Sequence, residues 1–458
     1  MKFIRFFSTI LLSIFCFTLF SQEQVYRLTL QECIDYALQH NKSLLNAKDQ
    51  ATSVEYQIKE TRAQGLPQID GKINYNTYFD YELNINFGDS ESSTSIDYSL
   101  LDAGDKEIMK LFSAMASSTS RSIVMNDQCS GNVQVSQLIF SGQYLIGLQS
   151  AKIARKLANQ NITLTELDIK ENIIKTYYTI LVSERTLNII NENIENMNEI
   201  LLHTTNLYKN GVAEETDVDQ LNVLVSQLKN SQKSLERMIQ LNYNLLKFQL
   251  GVAPETSIEL SDNLDNITGN ISTTISSDFN IGNNINYQMM ETQVEISKKQ
   301  LEVNNWSYAP SLVGFYSYTE KFKTTGFDMT PNHLAGFSLN VPIFSSGLRK
   351  AKVSEAKIDY EIAKRKKEML EDQLKTQHKQ LLYSFYNAVE NYNTQKENII
   401  VAKRVLKSME NKYKQGLISS LDFVQANNNY LSAENNYLSA VLTLLQAQTS
   451  LNKLYNNL

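Results

Sequence analysis

The segment YKNGVAEETDVDQLN at residues 208–222 recurs as YKQGLISSLDFVQAN at residues 413–427. The two segments share tyrosine, lysine, glycine, aspartate, glutamine and asparagine at matching places. Because one segment lies in each half of the chain, the repeat indicates that one structural unit is written twice.

Two further landmarks repeat in the same order. IFSG at residues 139–142 recurs as IFSSG at residues 343–347, and the spacing of Pro67–Gly71 recurs in Pro310–Gly314. The proline, phenylalanine and glycine landmarks of the two copies are 243, 204 and 205 positions apart. The sequence therefore predicts a duplication whose first copy has about 39 additional residues between its proline and its phenylalanine.

Each copy contains a very long helical pattern, predicted from Gln143 to Tyr208 and from Leu348 to Tyr413. None of the five prolines, which would break a helix, falls inside these stretches. Apolar residues of the segments that follow recur at coiled-coil spacing, namely Leu221, Leu228 and Leu235 in the first copy and Val424, Leu431, Leu438 and Leu445 in the second. Each long helix is therefore predicted to pair with a shorter one across a tight turn.

The predicted turns carry helix stop and start signals. Gly211 and Gly416 can adopt the left-handed conformation that ends a helix. The hydroxyl residues Thr216, or Ser419 and Ser420, can cap the helix that follows.

An aspartate follows each turn. Asp217 and Asp422 fall in a first helical turn, where the helix dipole favours negative charge. A capping role explains such an acid in one copy. It does not explain why both copies also place a glutamine one turn later, at Gln220 and Gln425, so a functional role is the alternative.

The segment QIDGKINYNTYFDYELNINF at residues 68–87 alternates apolar and polar residues along its whole length. Such alternation predicts a β-strand between two different environments, either in a soluble sheet or in a membrane barrel. Further strands are predicted near Val133 to Phe140, from Ser311 to Lys321 and from His333 to Phe344. Since about eight strands are needed to close a barrel, several chains would have to share one.

The first 22 residues, MKFIRFFSTILLSIFCFTLFSQ, have two basic residues ahead of an uncharged apolar stretch. This pattern predicts a secretory signal peptide; a signal anchor is the alternative. Cys16 follows Phe15, where a lipoprotein processing site needs a small residue, which disfavours lipidation.

No catalytic or metal-binding constellation is found in the sequence. The four histidines are scattered, no phosphate-binding glycine loop or nucleophile elbow occurs, and only Cys33 and Cys129 remain after signal cleavage. A net charge of -6 argues against nucleic acid as a partner. The sequence therefore predicts a protein that is not an enzyme and that needs no metal or cofactor.

These features together resemble the outer-membrane efflux channel family of TolC. The resemblance rests on TLQECIDYALQHNKSLL at residues 29–45, the proline-led strands, the strand ends LIFSG and PIFSSG, and the two YKxG turns followed by aspartate. One departure is Asn41-Lys42, where the family usually has asparagine followed by proline.

The resemblance implies a mainly α-helical, internally duplicated protomer with a small transmembrane β part. Three protomers would close a 12-stranded β-barrel that continues as a 12-helix α-barrel of coiled coils. The implied divisions are a signal peptide (1–22), a first helix (23–66), β-hairpin 1 with a long external loop at residues 88–130 (67–140), helical hairpin 1 (141–250), an equatorial segment (251–285), the first helix of repeat 2 (286–309), β-hairpin 2 (310–344) and helical hairpin 2 (345–458).

The resemblance also assigns roles to the two turns. A periplasmic adaptor would dock at the tips Asn210, Gly211, Val212, Gln415, Gly416 and Leu417, and the resting channel would be closed by a gate comprising Asp217, Tyr413, Asp422 and Gln425. Ile418 replaces an arginine that some members carry, so that charged link cannot form. A ring of three Asp422 carboxylates would favour cations and allow a multivalent cation to plug the lumen.

The predicted function is a passive, gated exit duct of a tripartite efflux or type I secretion system. It would sit in the outer membrane of a Gram-negative cell, extend into the periplasm as a homotrimer, and work with a periplasmic adaptor and an inner-membrane transporter. The alternatives are a non-conducting coiled-coil spacer of the envelope and a lipoprotein member of the same family. The sequence does not indicate which solute is exported.

Overall fold

The computed structural model describes residues 26–79, 81–85, 102, 104–108, 110, 121–124, 127–269, 278–323 and 330–458. The predicted signal peptide lies outside these residues. The chain divides into two compact units. The helical unit comprises Met1–Glu55, Lys152–Lys298 and Ile358–Leu458, and the sheet unit comprises Tyr56–Ala151 and Lys299–Lys357.

The described chain is mainly helical with a small number of strands, as predicted. Its elements are β1 (Tyr26–Leu28), α1 (Leu30–His40), α2 (Lys42–Ala63), β2 (Gln68–Asn76), β3 (Glu82–Ile85), β4 (Arg121–Val124), β5 (Gln128–Ser141), α3 (Gly142–Lys209), α4 (Glu215–Leu250), β6 (Ile258–Leu260), α5 (Leu264–Gly269), α6 (Ile285–Asn305), β7 (Ser311–Lys323), β8 (His333–Asn340), α7 (Leu348–Lys414) and α8 (Ser420–Leu454). Short 3-10 helices span Ile281–Asn283 and Trp306–Tyr308. No helix among the described residues is both long enough and apolar enough to span a membrane.

The two long helices have 68 and 67 residues and match their predicted bounds to within one residue at each end. Their regular apolar spacing and the absence of proline explain this agreement. Each is followed by a helix about half as long, α4 and α8, so the predicted helical hairpin is present in both copies.

Four antiparallel strands form the main sheet of the sheet unit, in the order β2, β5, β7, β8. The register places Ile69, Val135, Tyr316 and Ala335 in one row and Asp70, Gln134, Ser317 and Leu334 in the next. Because neighbouring rows point to opposite faces, the sheet has an apolar row on one face and, on the other, a row that is polar apart from Leu334. Within the described residues, the outer edges of β2 and β8 pair with no other strand.

The alternating stretch at residues 68–87 is not one strand, so that prediction was wrong. β2 ends at Asn76, Phe79 has a φ of 52°, and the Tyr81 N–H donates to the Tyr78 carbonyl. This turn interrupts the strand because a positive φ cannot continue an extended ladder. Further along, Glu82–Ile85 form β3, which pairs with β4 in a separate two-stranded sheet.

The predicted external loop at residues 88–130 is also corrected. Residues 121–124 form β4, and the second main strand begins at Gln128 rather than near Val133. Pairing with both β2 and β7 explains this longer β5, since ladder hydrogen bonds continue to Cys129 on both sides. Most of residues 88–120 lie outside the described residues.

The helical unit has one large apolar core and a second one near the hairpin tips. Tyr177, Phe385, Leu246, Leu444 and Leu451 are among the fully buried side chains of the large core, which involves α3, α4, α7 and α8. Burying such side chains is the main source of stability for these helices.

The segment at residues 251–285 joins the two copies and contains a strand that the sequence did not reveal. β6 pairs in parallel with β1, another three-residue strand at the start of the described chain. Asp262 fixes this junction, because its Oδ2 accepts 2.9 Å from the Leu30 backbone N–H and 2.7 Å from the Tyr177 hydroxyl.

The predicted first helix at residues 23–66 is two helices that meet at Asn41. The Asn41 Oδ1 accepts from the Ser43 and Leu44 backbone N–H groups at 2.8 and 3.3 Å, and its Nδ2 donates to the Gln249 carbonyl at 2.6 Å. Asparagine therefore caps α2 without the proline that the family pattern would place at Lys42.

The second copy repeats this arrangement at Asn284. The Asn284 Oδ1 accepts from the Asn286 and Tyr287 N–H groups at 3.0 and 3.3 Å, and its Nδ2 donates to the Leu454 carbonyl at 2.9 Å. Asn41 and Asn284 are 243 positions apart, the spacing of the proline landmarks. The recurrence of asparagine at this spacing is the sequence signal for the two caps.

Candidate functional site

The candidate site comprises the two helix-joining turns and the helix ends around them, all within the helical unit. Gly211 has a φ of 73° and Gly416 a φ of 71°. The Val212 N–H donates to the Leu207 carbonyl at 2.9 Å, and the matching bond in the second copy, from Leu417 to Lys412, is also 2.9 Å. Both turns are therefore Schellman motifs that require left-handed backbone, as the glycines predict.

The helices that follow begin with capping boxes. In the second copy, Ser419 is the N-cap residue, and its hydroxyl lies 2.7 Å from Asp422 Oδ2. In the first copy the N-cap is Glu214, whose backbone N–H donates to Asp217 Oδ2 at 3.1 Å. The prediction of Thr216 as the cap was therefore wrong, because the turn is shorter than it assumes and Thr216 already lies inside α4.

A polar contact joins the two hairpins at the tips. The buried Ser420 hydroxyl hydrogen-bonds to Asp217 Oδ1 and also lies 3.0 Å from Gln220 Oε1. Asp217 thus links its own helix start to α8 of the other copy. Asp217 and Gln220 therefore both contact Ser420 of the other hairpin, in addition to the role of Asp217 in the capping box.

Tyr413 lies where α7 ends and faces the first copy. Its hydroxyl is 2.8 Å from Thr204 Oγ1, and its ring stacks on Phe423 with 5.2 Å between centroids. Burial raises the pKa of Tyr413, and the nearby Asp217 carboxylate raises it further, while Thr204 lowers it. The hydroxyl is therefore neutral and able to hydrogen-bond at physiological pH.

Asp422 and Gln425 are placed differently from Asp217 and Tyr413. Both are exposed, and their hydrogen bonds stay within the second hairpin: Asp422 to Ser419, and Gln425 Nε2 to Asn429 Oδ1 at 3.0 Å. The structure therefore brings Asp217 and Tyr413 into contacts between copies and leaves the other two predicted gate residues outside those contacts.

The two turns expose apolar side chains at matching positions. Val212 is 73% exposed and Leu417 is 68% exposed, each one residue after its glycine. Asn210 donates to the Asn206 carbonyl of its own helix at 2.9 Å. The tips therefore present similar surfaces in both copies.

The sequence prediction missed a buried amide pair between α3 and α8. Asn193 Nδ2 donates to Asn427 Oδ1 at 2.7 Å, and Asn427 Nδ2 donates back to Asn193 Oδ1 at 3.3 Å. Both residues are buried. Asn427 closes the repeated segment quoted at the start, so its recurrence at Asn222 was the available signal.

The described residues contain no group of three or more histidine, cysteine, aspartate or glutamate side chains arranged to hold a metal ion. Cys33 is buried, and burial raises the pKa of its thiol to about 12. The site is therefore a set of helix ends and polar contacts, and its chemistry is hydrogen bonding and charge.

Comparisons with known proteins agree with this architecture. Residues 281–457 match the family model described as "Outer membrane efflux protein". No curated relative matches the chain.

Several solved structures share the fold over nearly the whole chain. The Campylobacter jejuni CmeC outer membrane channel has a TM-score of 0.71 at 15% identity, covering 93% of this chain and 85% of that one. The outer membrane protein VceC of Vibrio cholerae has a TM-score of 0.66 at 16% identity, covering 93% and 96%. The open state of the Neisseria gonorrhoeae MtrE outer membrane channel has a TM-score of 0.64 at 17% identity, covering 93% and 88%.

At these identities the structural similarity establishes the fold alone. The family model covers residues 281–457, which is less than half of the chain and lies in its second copy. The second copy is therefore similar to the outer membrane efflux protein family, and nearly the whole chain shares its fold with outer membrane channels of known structure.

Proposed function

We propose that three copies of this chain form a passive, gated exit channel through the outer membrane of a Gram-negative cell. The observation that carries the proposal is the four-stranded sheet, which has an apolar row on one face and unpaired outer edges on β2 and β8 within the described residues. In lipid, backbone groups at such edges need partners. Three chains, the number that the family resemblance implies, supply 12 strands and pair every edge.

The helical hairpins supply the periplasmic part of this channel and its gate. Contacts between copies at the tips, from Ser420 to Asp217 and from Tyr413 to Thr204, hold the two hairpins together. Releasing these contacts lets the second hairpin move away from the first. The tips are therefore the gate in this proposal.

A periplasmic adaptor and an inner-membrane pump complete the proposed system. The exposed Val212 and Leu417 give each chain two similar apolar docking points for adaptor hairpins. The chain contains no motif for nucleotide hydrolysis, so a pump supplies the energy.

Conductance across a planar lipid bilayer tests the proposal. Purified trimers should give small discrete current steps, and the double variant Asp217→Ala/Ser420→Ala should give larger steps because the contact between hairpins is lost. The matched control is Asn210→Ala/Gln415→Ala, which alters both exposed tips without touching that contact and should conduct like the unaltered protein.

Two results would count against the proposal. Folded trimers that give no current steps, even with the Asp217 and Ser420 contact removed, would favour the non-conducting spacer. Equal conductance of the double variant and the unaltered protein would retain the channel but place its gate elsewhere.

A further inference from the structure

The buried pair of Asn193 and Asn427 joins one copy of the duplication to the other. Asn193 lies on the long helix α3 of copy one, and Asn427 lies on the short helix α8 of copy two. The two reciprocal hydrogen bonds satisfy one donor and one acceptor on each amide.

Both asparagines recur in the opposite copies. Asn398 follows Asn193 by 205 positions, the glycine spacing, and both lie in the tripeptide Glu-Asn-Ile, at residues 192–194 and 397–399. Asn222 precedes Asn427 by the same 205 positions. The chain therefore carries the components of a second amide pair, on α7 and α4.

The components of this second pair are not buried in the single chain. Asn222 and Asn398 are both exposed. Asn398 contacts only Gln395 of its own helix, at 3.4 Å, and the Asn222 side chain has no hydrogen-bond partner in the part of the chain that is described. Asn193 and Asn427 are thus buried and paired, whereas their counterparts Asn398 and Asn222 are exposed.

The apolar surroundings show the same contrast. Ile200 of α3 is 4% exposed, whereas Val405, its counterpart on α7, is 44% exposed. Val401 lies on the same face as Asn398 and Val405, three residues after the first and four before the second, and is also exposed. On α7, residues that would form a core are therefore left in solvent.

We propose that this α7 face packs against α4 of a second, identical chain. Asn398 of one chain and Asn222 of the neighbouring chain then form the same reciprocal amide pair. The contact between α3 and α8 inside one chain is the template, because all four asparagines are related by the duplication. A junction between different surfaces of identical chains is heterologous, and it generates a closed ring when the rotation from one chain to the next adds up to a full turn. The inference rests on the proposed channel for the number of chains.

The amide pair specifies the register of the junction. A buried asparagine at a coiled-coil seam stabilises only the alignment in which it meets a partner, since an unpaired buried amide is unfavourable. The same amide pair would then occur at the junction between the two hairpins of each chain and at the junction between neighbouring chains. All hairpins would thereby be held at the same height around the ring.

Cysteine cross-linking tests this assignment. Asn222→Cys and Asn398→Cys are introduced singly and together, the two native cysteines of the mature chain are kept in all variants, and membranes are treated with a short bismaleimide. The double variant should shift from the monomer band to dimer and trimer bands on a denaturing gel, whereas each single variant should stay a monomer. Asn193→Cys/Asn427→Cys is the matched control and should cross-link only within the chain.

Co-expression adds an independent measurement. A tagged chain with Asn222→Cys and a larger tagged chain with Asn398→Cys should form a mixed dimer band, because each supplies one half of the pair. Trimers on a native mass measurement with no cross-link in either experiment would overturn the inference and leave the channel proposal intact. Chains that are monomeric in the membrane would overturn the channel proposal itself.

Discussion

The two hairpin tips have the same turn but differ in what holds them. Gly211 and Gly416 end their helices with matching hydrogen bonds, and each is followed by an acidic capping box. Asp217, however, also binds Ser420 of the other copy, whereas Asp422 bonds within its own turn. The duplication therefore preserved the local turn and left the contacts between copies asymmetric.

The difference shows that a residue's role depends on which junction it faces. Tyr413 is packed against Phe423 and Thr204, but its counterpart Tyr208 is 42% exposed. In a single chain, residues of one junction between the two halves of the duplication are buried and paired, and their counterparts are exposed. The following predictions test this asymmetry, from the largest expected effect to the smallest.

Phe423→Ala should be the most destabilising change at the tips. The side chain is fully buried in the tip core, and truncating such a phenylalanine costs about 3–5 kcal/mol. The matched control is Val218→Ala at the corresponding, half-buried position of the first copy, which should cost much less. Thermal unfolding in detergent measures both, and equal losses would contradict the asymmetry.

Asn41→Ala and Asn284→Ala should lower stability by similar amounts. Each asparagine caps a helix and binds the carbonyl of a distant helix end, and loss of a cap alone costs about 0.5–2 kcal/mol. Thermal unfolding of the two variants measures the loss of stability in each copy at a position where both copies make the same contacts. A marked difference between them would show that the two copies are held differently here as well.

Asp422→Asn should weaken block of the channel by a trivalent cation from the periplasmic side by about tenfold or more. Three exposed carboxylates are removed from the proposed lumen, while the amide oxygen can still accept the capping bonds. Asp217→Asn is the comparison variant and should weaken the block much less, because the Asp217 carboxylate is hydrogen-bonded to Ser420 of the other hairpin and an amide oxygen can still accept that bond. Dose-dependent block of bilayer currents measures both variants, and equal sensitivity to the two changes would refute the assignment.

Glu184→Gln should give a small gain in stability at neutral pH. Burial raises the pKa of Glu184 above 4.5, although the Tyr243 hydroxyl, 2.6 Å away, opposes this shift. Between the unfolded and folded pKa values the folded state binds more protons, so stability falls as pH rises through that window. The variant should therefore melt above the unaltered protein at about pH 7 and lose this advantage near pH 4.

Glu434 of the second hairpin extends this pH comparison. Burial also raises its pKa, with Tyr430 opposing. Glu434→Gln should therefore shift the melting temperature in the same direction as Glu184→Gln. Opposite signs would show that one of these carboxyls is stabilised in its ionised form by the assembled protein.

The regular parts of the fold were predictable from sequence because their signals are local. Heptad spacing and the absence of proline predicted α3 and α7 nearly to the residue, and the two glycines predicted the turns. Short elements were not predictable: β1 and β6 have three residues each, too few to show a period, and they form only because they pair with each other. The turn at Phe79 likewise interrupted an alternation that had predicted one continuous strand.

The sequence by itself determined the duplication, the helical hairpins, the four-stranded sheet and which residues lie at the two tips, since repeats, periodicity and glycine positions are readable along the chain. Only the tertiary structure decided what these residues contact. Ser420 reaches Asp217, and Asn427 reaches Asn193, across more than 200 positions. Hydrogen bonds of that kind depend on how whole helices pack, because packing and not spacing brings distant side chains within about 3 Å.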